Sequence, residues 1–264
     1  MALTAMAALL AGCDHGATGS AGAPPTTAGQ APTASATASV EPEPSVSEDE
    51  GEEPPLAVTG TPPPPASGRA ALLAEVDREL GAMRTSLYAH HTHVDEAAGS
   101  FEYDCSALLD YALSRAVPDA LAAVQERAAR RPRSREYVTF LESIAPGAAS
   151  GRWQRVARAA ELLPGDVVVW LKPADSRSTN TGHTMIVHGP VVAAPGEPGA
   201  FVVPVADSTA RPHGSHDGRA AAHTTGLGTG QIVLVTDAAG APTSFRWSPG
   251  GREKPTTIAL GRLR

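Results

Sequence analysis

Two residues of this chain have side chains that could together perform nucleophilic catalysis. Cys105 stands where the polar segment Tyr103-Asp104-Cys105-Ser106 gives way to an apolar helical pattern, so we expect it in the first turn of a helix. The unpaired N–H groups and the positive dipole end at such a position stabilise a thiolate. His183 begins a strand-like run, and an imidazole facing the thiol could take its proton and later protonate a leaving amine.

Each residue also has a purely structural interpretation. Free cysteine is among the most buried residue types, so Cys105 could be an inert core residue. A lone histidine in a strand, such as His183, is more often structural than catalytic. A thiol at a helix start and an imidazole at the edge of a strand are nevertheless the pair that cysteine catalysis requires, and together they favour the catalytic interpretation.

A third group could orient the imidazole. Asp207 ends the strand-like run Val202–Asp207, one strand after His183, and its carboxylate could accept the second imidazole N–H. The alternative is an Asx-turn or a strand terminator. His213 and His216, in the following loop, are weaker candidates for the same role.

The second cysteine has a separate explanation at the N-terminus. A short apolar run ends in Leu10-Ala11-Gly12-Cys13, which resembles the lipobox of bacterial lipoproteins. The resemblance implies a signal peptide over 1–12, a lipidated Cys13 and a location in the bacterial cell envelope, facing the periplasm or the exterior. The alternative is an Ala-rich N-terminus with an incidental cysteine. With Cys13 lipidated, Cys105 has no disulfide partner, which favours a reactive role for it.

Residues 13–67 have the composition of a disordered tether. They are rich in Ala, Pro, Ser and Thr and hold eight acidic residues but no Lys or Arg. Removing those eight from the 28 acidic residues leaves 20 against 21 basic ones, so the net charge of −7 belongs to the tether. No basic block stands out, which argues against a nucleic acid partner.

Residues 68–264 are long enough for one domain with a sizeable core, and in them helical patterns precede strand patterns. The predicted helices are Ala70–Leu87, a helix that begins at Cys105, Pro118–Arg130, Arg135–Ile144 and Trp153–Leu163. The predicted strands are Val167–Leu171, Thr184–His188, Ala200–Ala206, Gln231–Thr236, Ser244–Trp247 and Thr257–Leu260, with a hairpin turn at Asp237–Gly240. This order predicts an α+β fold in which N-terminal helices pack on a C-terminal antiparallel sheet.

The segment His90-His91-Thr92-His93-Val94-Asp95 contains metal-ligating side chains. Neighbouring positions rarely converge on one ion without a distant ligand, so we expect no metal site here. A groove wall near Cys105 and a solvated loop are the interpretations that remain. We expect no cofactor.

Three motifs in order resemble the NlpC family of papain-like bacterial cell-wall cysteine peptidases: Asp104-Cys105-Ser106, then Pro164-Gly165-Asp166 before a strand, then Gly182-His183. The resemblance covers 88–209 and implies a papain-like fold with Cys105 as nucleophile and His183 as base. It also implies that Tyr103, Asp104 and Ser106 bind substrate or support the oxyanion. The chain departs from the family in Ala107, where glycine is usual, and in Asp207, where His, Asn or Gln is common.

The resemblance implies a membrane-anchored, monomeric hydrolase that cleaves peptide or amide bonds of peptidoglycan stem peptides. One alternative is a transglutaminase-like acyl transferase or protease, because those proteins also run Cys, His, Asp in that order. A further alternative is a catalytically inactive lipoprotein that binds the envelope.

Overall fold

The computed structural model of the chain describes residues 67–127, 131–177 and 179–264. The predicted signal peptide, Cys13 and the tether up to residue 66 lie outside the described residues. No helix within the described ranges is long and apolar enough to cross a membrane.

The described residues form a mixed α+β fold with two sheets. The helices are α1 (Gly68–Ala82), α2 (Cys105–Ala116), α3 (Pro118–Gln125), α4 (Ser134–Glu142) and α5 (Gly218–Ala222), with a short 3-10 turn at Ala159–Glu161. The strands are β1 (Thr85–Tyr88), β2 (His93–Asp95), β3 (Ser100–Tyr103), β4 (Ala149–Ser150), β5 (Trp153–Val156), β6 (Val167–Leu171), β7 (Gly182–Val187), β8 (Val192–Ala193), β9 (Ala200–Thr209), β10 (Gly226–Thr236), β11 (Pro242–Arg246), β12 (Glu253–Pro255) and β13 (Ile258–Leu263).

The large sheet is antiparallel and carries the core on both faces. Its strands run in the order β12-β11-β10-β9-β7-β6-β13-β5-β4, with β8 beside β9. Successive side chains of a strand point to opposite faces, and β6 is buried on both. Val167 and Val169 pack under the helices, whereas Val168 and Trp170 join the core on the far face.

Helix α2 begins where its sequence dictates. Asp104 is its N-cap, and the Asp104 carboxylate accepts a hydrogen bond from the Ala107 N–H at 2.9 Å, which satisfies one of the free donors of the first turn. Leu108, Leu109 and Leu113 are fully buried, and each such side chain stabilises the fold by roughly 1.5–3 kcal/mol. The helix packs against α1 and against strands β7 and β9, which brings its first residue to the sheet.

The predicted helix Trp153–Leu163 is wrong. This segment forms strand β5, which pairs with β13, and then the 3-10 turn. Apolar residues at 153, 156, 159 and 162 mimic a helical spacing, but Trp153 and Val156 belong to the cores on opposite faces of the sheet. An odd separation on a strand produces that division.

The first predicted helix is too long, since α1 ends at Ala82 rather than at Leu87. The residues that follow form β1, part of a small sheet β1-β3-β2 in which β1 runs parallel to β3. Leu87, expected on the buried side of a helix, is 49% exposed. The small sheet therefore precedes α2, so the helices are not all N-terminal to the strands.

Other boundaries differ by a few residues. Helix α3 ends at Gln125, and residues 128–130 of the longer prediction lie outside the described part of the chain. Strand β10 begins five residues earlier than predicted, in a glycine-rich stretch. The predicted turn at Asp237–Gly240 is confirmed, since it joins β10 to β11 and its Gly240 has a φ of +85°.

Candidate active site

Cys105 is the first residue of α2 and lies in the wall of a cavity of about 280 Å³. Its thiol is free and the residue is 4% exposed. The Cys105 Sγ lies 3.9 Å from the Ser134 Oγ, which in turn lies 3.0 Å from the Thr184 Oγ1. Ser134, at the start of α4, thus contacts the thiol and is itself linked to Thr184 of strand β7.

His183, the second residue of β7, is held by Asp207 and lies within electrostatic reach of Cys105. Its Nε2 lies 2.6 Å from the Oδ2 of Asp207, and because a carboxylate only accepts, this nitrogen carries the proton. The Nδ1 is the ring nitrogen that remains for Cys105. Burial is the strongest single influence and disfavours the imidazolium, but the charge of Cys105 and the hydrogen bonds to Asp207 and Cys105 outweigh it and raise the pKa of His183 to about 10.

Glycine at position 182 lets β7 approach its neighbour beside His183. A Cβ at Gly182 would lie 1.8 Å from the carbonyl oxygen of Trp170 on β6, where no side chain fits. Strand packing alone therefore explains why position 182 is glycine, without reference to a catalytic motif.

Asp207 lies on β9, fully buried, and its carboxylate has three cationic neighbours. Its Oδ2 meets the Nε2 of His183 at 2.6 Å and the Nε2 of His213 at 2.9 Å, while its Oδ1 accepts from the Arg219 Nη2 at 2.8 Å. Burial opposes ionisation most strongly, but the charge of His213 and the hydrogen bond to His183 hold the pKa of Asp207 well below its usual range.

His213 contacts Asp207 rather than His183, and its two ring nitrogens both face acceptors. Its Nδ1 is 2.9 Å from the carbonyl oxygen of Trp247, against whose ring it stacks at 4.1 Å between centroids. The ring is thus fixed at both nitrogens, by the backbone of Trp247 and by Asp207. His216, the other loop candidate, is exposed and lies outside the hydrogen bonds described for Asp207.

Arg219 completes the surroundings of Asp207 and was not predicted. It is 4% exposed, and besides Asp207 its guanidinium binds Asp217 through contacts of 2.8 and 2.9 Å. Strand β10 makes room for it: a Cβ at Gly228 would lie 2.8 Å from the Arg219 side chain, and one at Gly230 would lie 2.7 Å from His213. Alternating glycines in one strand were the sequence signal that could have indicated these two side chains.

His183, Asp207 and His213 bring three metal-ligating atoms within 4.8 Å of one another. The two histidine nitrogens, however, contact one carboxylate oxygen at hydrogen-bond distances, and the cationic Arg219 lies on the other oxygen. A second cation would be repelled there, so the donor set fits a proton-linked network better than a metal.

The His90–Asp95 segment does not form such a group. Among the described residues, His90, His91 and His93 do not converge to the distance that a shared ion needs. His90 lines the cavity at Cys105, 3.6 Å from the Asp104 carboxylate, and His91 lies 3.3 Å from Glu102. The position of His90 agrees with the predicted groove wall.

The three residues predicted to contact substrate have different positions. Asp104 and Ser106 line the cavity at Cys105, with the Ser106 hydroxyl donating to the Asp104 carboxylate at 2.8 Å. Tyr103 is fully buried, and its hydroxyl donates to Glu79 of α1 at 2.6 Å. Tyr103 lines neither described cavity.

A different tyrosine, Tyr88 at the end of β1, faces the site. It lines the cavity at Cys105 and also a neighbouring one beside His183. Burial first, and then the charges of Cys105 and Asp104, raise the pKa of Tyr88 above its usual range. The Asn180 amide donates to its oxygen at 3.1 Å, so the Tyr88 proton is left for another acceptor. The sequence did not reveal this residue, because its segment was predicted as the end of a helix.

Comparisons of the chain with models of protein families, with curated proteins and with solved structures found no match.

Proposed function

We propose that this chain is a papain-like cysteine peptidase or amidase that is anchored in the bacterial envelope and hydrolyses peptide or amide bonds of peptidoglycan stem peptides. The observation that carries the proposal is the pairing of Cys105, at the start of a buried helix, with His183, whose Nε2 lies 2.6 Å from the buried Asp207. This is the nucleophile–base–orienter arrangement of acyl-transfer enzymes.

The first half of the reaction forms an acyl-enzyme. The Cys105 thiolate attacks the carbonyl carbon, and the oxygen that becomes negative needs hydrogen-bond donors. The Cys105 backbone N–H has no acceptor within the helix at this position, and the Tyr88 hydroxyl has its proton to give. We assign these two groups to the oxyanion.

His183 moves the protons in both halves. The imidazolium donates its Nδ1 proton to the nitrogen of the leaving amine as the C–N bond breaks. Water then attacks the thioester carbonyl while the neutral Nδ1 takes a proton from it, and the C–S bond breaks. Asp207 holds the Nε2 proton throughout, so the ring keeps the tautomer that the reaction needs.

The family resemblance supports the finer fold assignment. A helix that carries the nucleophile packs on an antiparallel sheet that carries the base, as a papain-like fold requires. The Pro164–Asp166 motif has a structural role: Gly165 has a φ of +89°, and Asp166 accepts from the Leu163 N–H at 2.8 Å and pairs with Arg262. It therefore fixes the turn into β6, beside β7.

Digestion of purified peptidoglycan by the full chain tests the proposal. We expect mass spectrometry to show new amine and carboxyl ends at one bond of the stem peptide, and no new ends with Cys105→Ala. Cys105→Ser is the matched control, because it replaces the thiol by a polar hydroxyl of similar size at the helix start. No cleavage by the folded wild-type protein, or equal cleavage by Cys105→Ala, would contradict the proposal.

Asp207 favours a second candidate, a transglutaminase-like acyl transferase, because an aspartate as third residue fits that class. Such an enzyme passes the acyl group to an amine instead of to water. Incorporation of a fluorescent primary amine into peptide substrates, faster than hydrolysis, would favour this candidate over the first.

A further inference from the structure

A second and larger cavity adjoins the site on the side of His183. Its volume is about 780 Å³, and it shares Tyr88, Asn180 and Gly182 with the cavity at Cys105. His183 lines the larger cavity, whereas Cys105 lines the smaller one. The two cavities therefore lie on the two sides of the catalytic pair.

The larger cavity is cationic. Five basic residues line it, and none of its described lining residues is Asp or Glu. The basic residues are Lys172, Arg177, Arg211, Arg252 and Lys254. Arg252 lies 3.9 Å from Asp175, at the outer limit of an ion pair, and its side chain is 82% exposed. Charges of one sign around a concave surface concentrate ligands of the opposite sign.

The floor of this cavity is aromatic. Trp170 stacks on Phe245 with ring centroids 3.9 Å apart, and Trp247 lies edge-on to His183 at 5.0 Å. Flat apolar rings below and cations at the rim fit a ligand that has an aliphatic body and negative groups. Carboxylates are the negative groups that Arg and Lys bind in peptides.

The roles of Cys105 and His183 in the proposed reaction indicate which half of the substrate occupies the larger cavity. Cys105 keeps the acyl half as a thioester, whereas His183 protonates the nitrogen of the half that leaves. Since the cationic cavity adjoins His183, it lies on the leaving side.

We propose that this cationic cavity binds the leaving half of the substrate and that this half carries carboxylate groups. The proposal rests on the proposed function and adds a specificity to it: the hydrolysed amide joins an acyl group to the amine of an acidic residue. The C–N bond breaks, the nitrogen takes its proton from His183, and the released amine product is an anion held by the cavity. A protein lysine, which is a cation, would be repelled from the same position.

Binding of the product-like half can be measured without turnover. The first probe is the dipeptide Glu-Glu, which has a free amine and three carboxylates. The second is Gln-Gln amide, which keeps the free amine but has no carboxylate. Trp170 and Trp247 lie in the cavity floor, so tryptophan fluorescence of the full-chain Cys105→Ala protein reports occupancy, and calorimetry checks it. We expect Glu-Glu to bind about tenfold or more tightly than Gln-Gln amide, and the difference to shrink in high salt.

Charge-matched variants assign the preference to this cavity. Arg211→Gln with Lys254→Gln removes two cations from the rim, and we expect the two probes to bind this variant about equally. Arg135→Gln with Arg152→Gln removes two exposed cations that line neither cavity, and it should keep the preference. Equal binding of the probes to the parent protein, or a preference that survives loss of Arg211 and Lys254, would overturn the proposal.

Hydrolysis is measured in a separate experiment, in which the protein with Cys105 intact is incubated with peptidoglycan. A protein that cleaves peptidoglycan but does not distinguish the probes would overturn the carboxylate assignment alone. A protein that prefers Glu-Glu but cleaves nothing would overturn the proposed function and, with it, the assignment of the cavity to a leaving group.

Discussion

At the scale of the residue, Asp207 holds the ring of His183 through a hydrogen bond of 2.6 Å. One of its carboxylate oxygens faces two histidines and the other faces Arg219, so a single buried charge holds three cationic groups. Removing such a charge costs about 3–5 kcal/mol, because the buried partners are left unpaired. The sequence predicted Asp207 at the end of a strand, whereas β9 continues to Thr209 because Ser208 and Thr209 still pair with β10. His213 and Arg219 could not be assigned to it, because the intervening loop conformation has no periodic pattern.

Asp207→Asn tests this account at the residue scale. The amide has one acceptor oxygen for three donors, so the ring of His183 is held less well, and we expect kcat to fall about a hundredfold with little change in KM. The neutral amide also removes a charge that raises the pKa of His183. His183 must be protonated to donate to the leaving amine, so activity is lost as the pH rises through that pKa.

A pH profile of kcat/KM measures the second effect. We expect the alkaline limb of the wild-type protein near pH 10 and that of Asp207→Asn at a lower pH. His216→Gln, an exposed change in the loop that follows β9, is the control and should leave the profile unchanged. Thermal melts accompany the kinetics, and an alkaline limb that does not move in a folded Asp207→Asn protein would contradict the role given to Asp207.

At the scale of the element, local sequence signals predicted where helices begin, whereas long-range strand pairing determined which segments form strands. The start of α2 follows from the Asp104 cap and the start of α3 from Pro118 in its first turn, both of which act within a few residues. Strands β1 and β5 were mistaken for helix because their apolar spacing is ambiguous. They are strands because β1 pairs with β3 and β5 pairs with β13. A local sequence pattern does not reveal such pairing.

Glu79 provides a test of how α1 is joined to β3. It is fully buried, accepts from the Tyr103 hydroxyl, and burial first of all raises the pKa of Glu79 to about 7 from 4.5. The fold therefore prefers the neutral acid. Its contribution to stability is complete below pH 4.5 and is lost as the pH rises through about 7, by ~3 kcal/mol at most.

Glu79→Gln removes this titration while keeping an acceptor for Tyr103. We expect the free energy of unfolding in urea to fall less between pH 5 and pH 8 in Glu79→Gln than in the wild-type protein. Asp110, whose pKa burial also raises to about 7, is present in both proteins and cancels in the comparison. The same fall in both proteins would show that Glu79 is not the neutral buried acid described above.

At the scale of the whole molecule, charge is divided along the chain and again within the domain. The net charge of −7 comes from the acidic stretch before residue 67, and the rest is nearly neutral. Within that neutral part the basic residues still gather at one cavity, because residues 172–177, 211 and 252–254 meet beside His183. Composition argues against a nucleic acid partner, but it could not reveal this local concentration of basic residues, which depends on the order of strands in the sheet.

The proposed anchor is the prediction at this scale. The Leu10–Cys13 motif leads us to expect a diacylated or triacylated N-terminus and fractionation with membranes. Cys13→Ser should lose the lipid and be released or left unprocessed, with its peptidoglycan activity intact once purified. A wild-type protein recovered from its native host in the soluble fraction, with residues before Cys13 still attached, would contradict the anchor.

The proposed function requires that Cys105 and His183 form a reactive thiolate–imidazolium pair, and alkylation by iodoacetamide at pH 7 measures that reactivity. Peptide mass spectrometry follows the Cys105 peptide in a chain that also carries Cys13→Ser. A cysteine at a helix N-terminus beside an imidazolium is more nucleophilic than a free thiol, so we expect alkylation about a hundredfold faster than that of glutathione. His183→Ala should bring the rate down close to the glutathione value. A Cys105 that reacts no faster than glutathione, or equally fast with and without His183, would contradict the account.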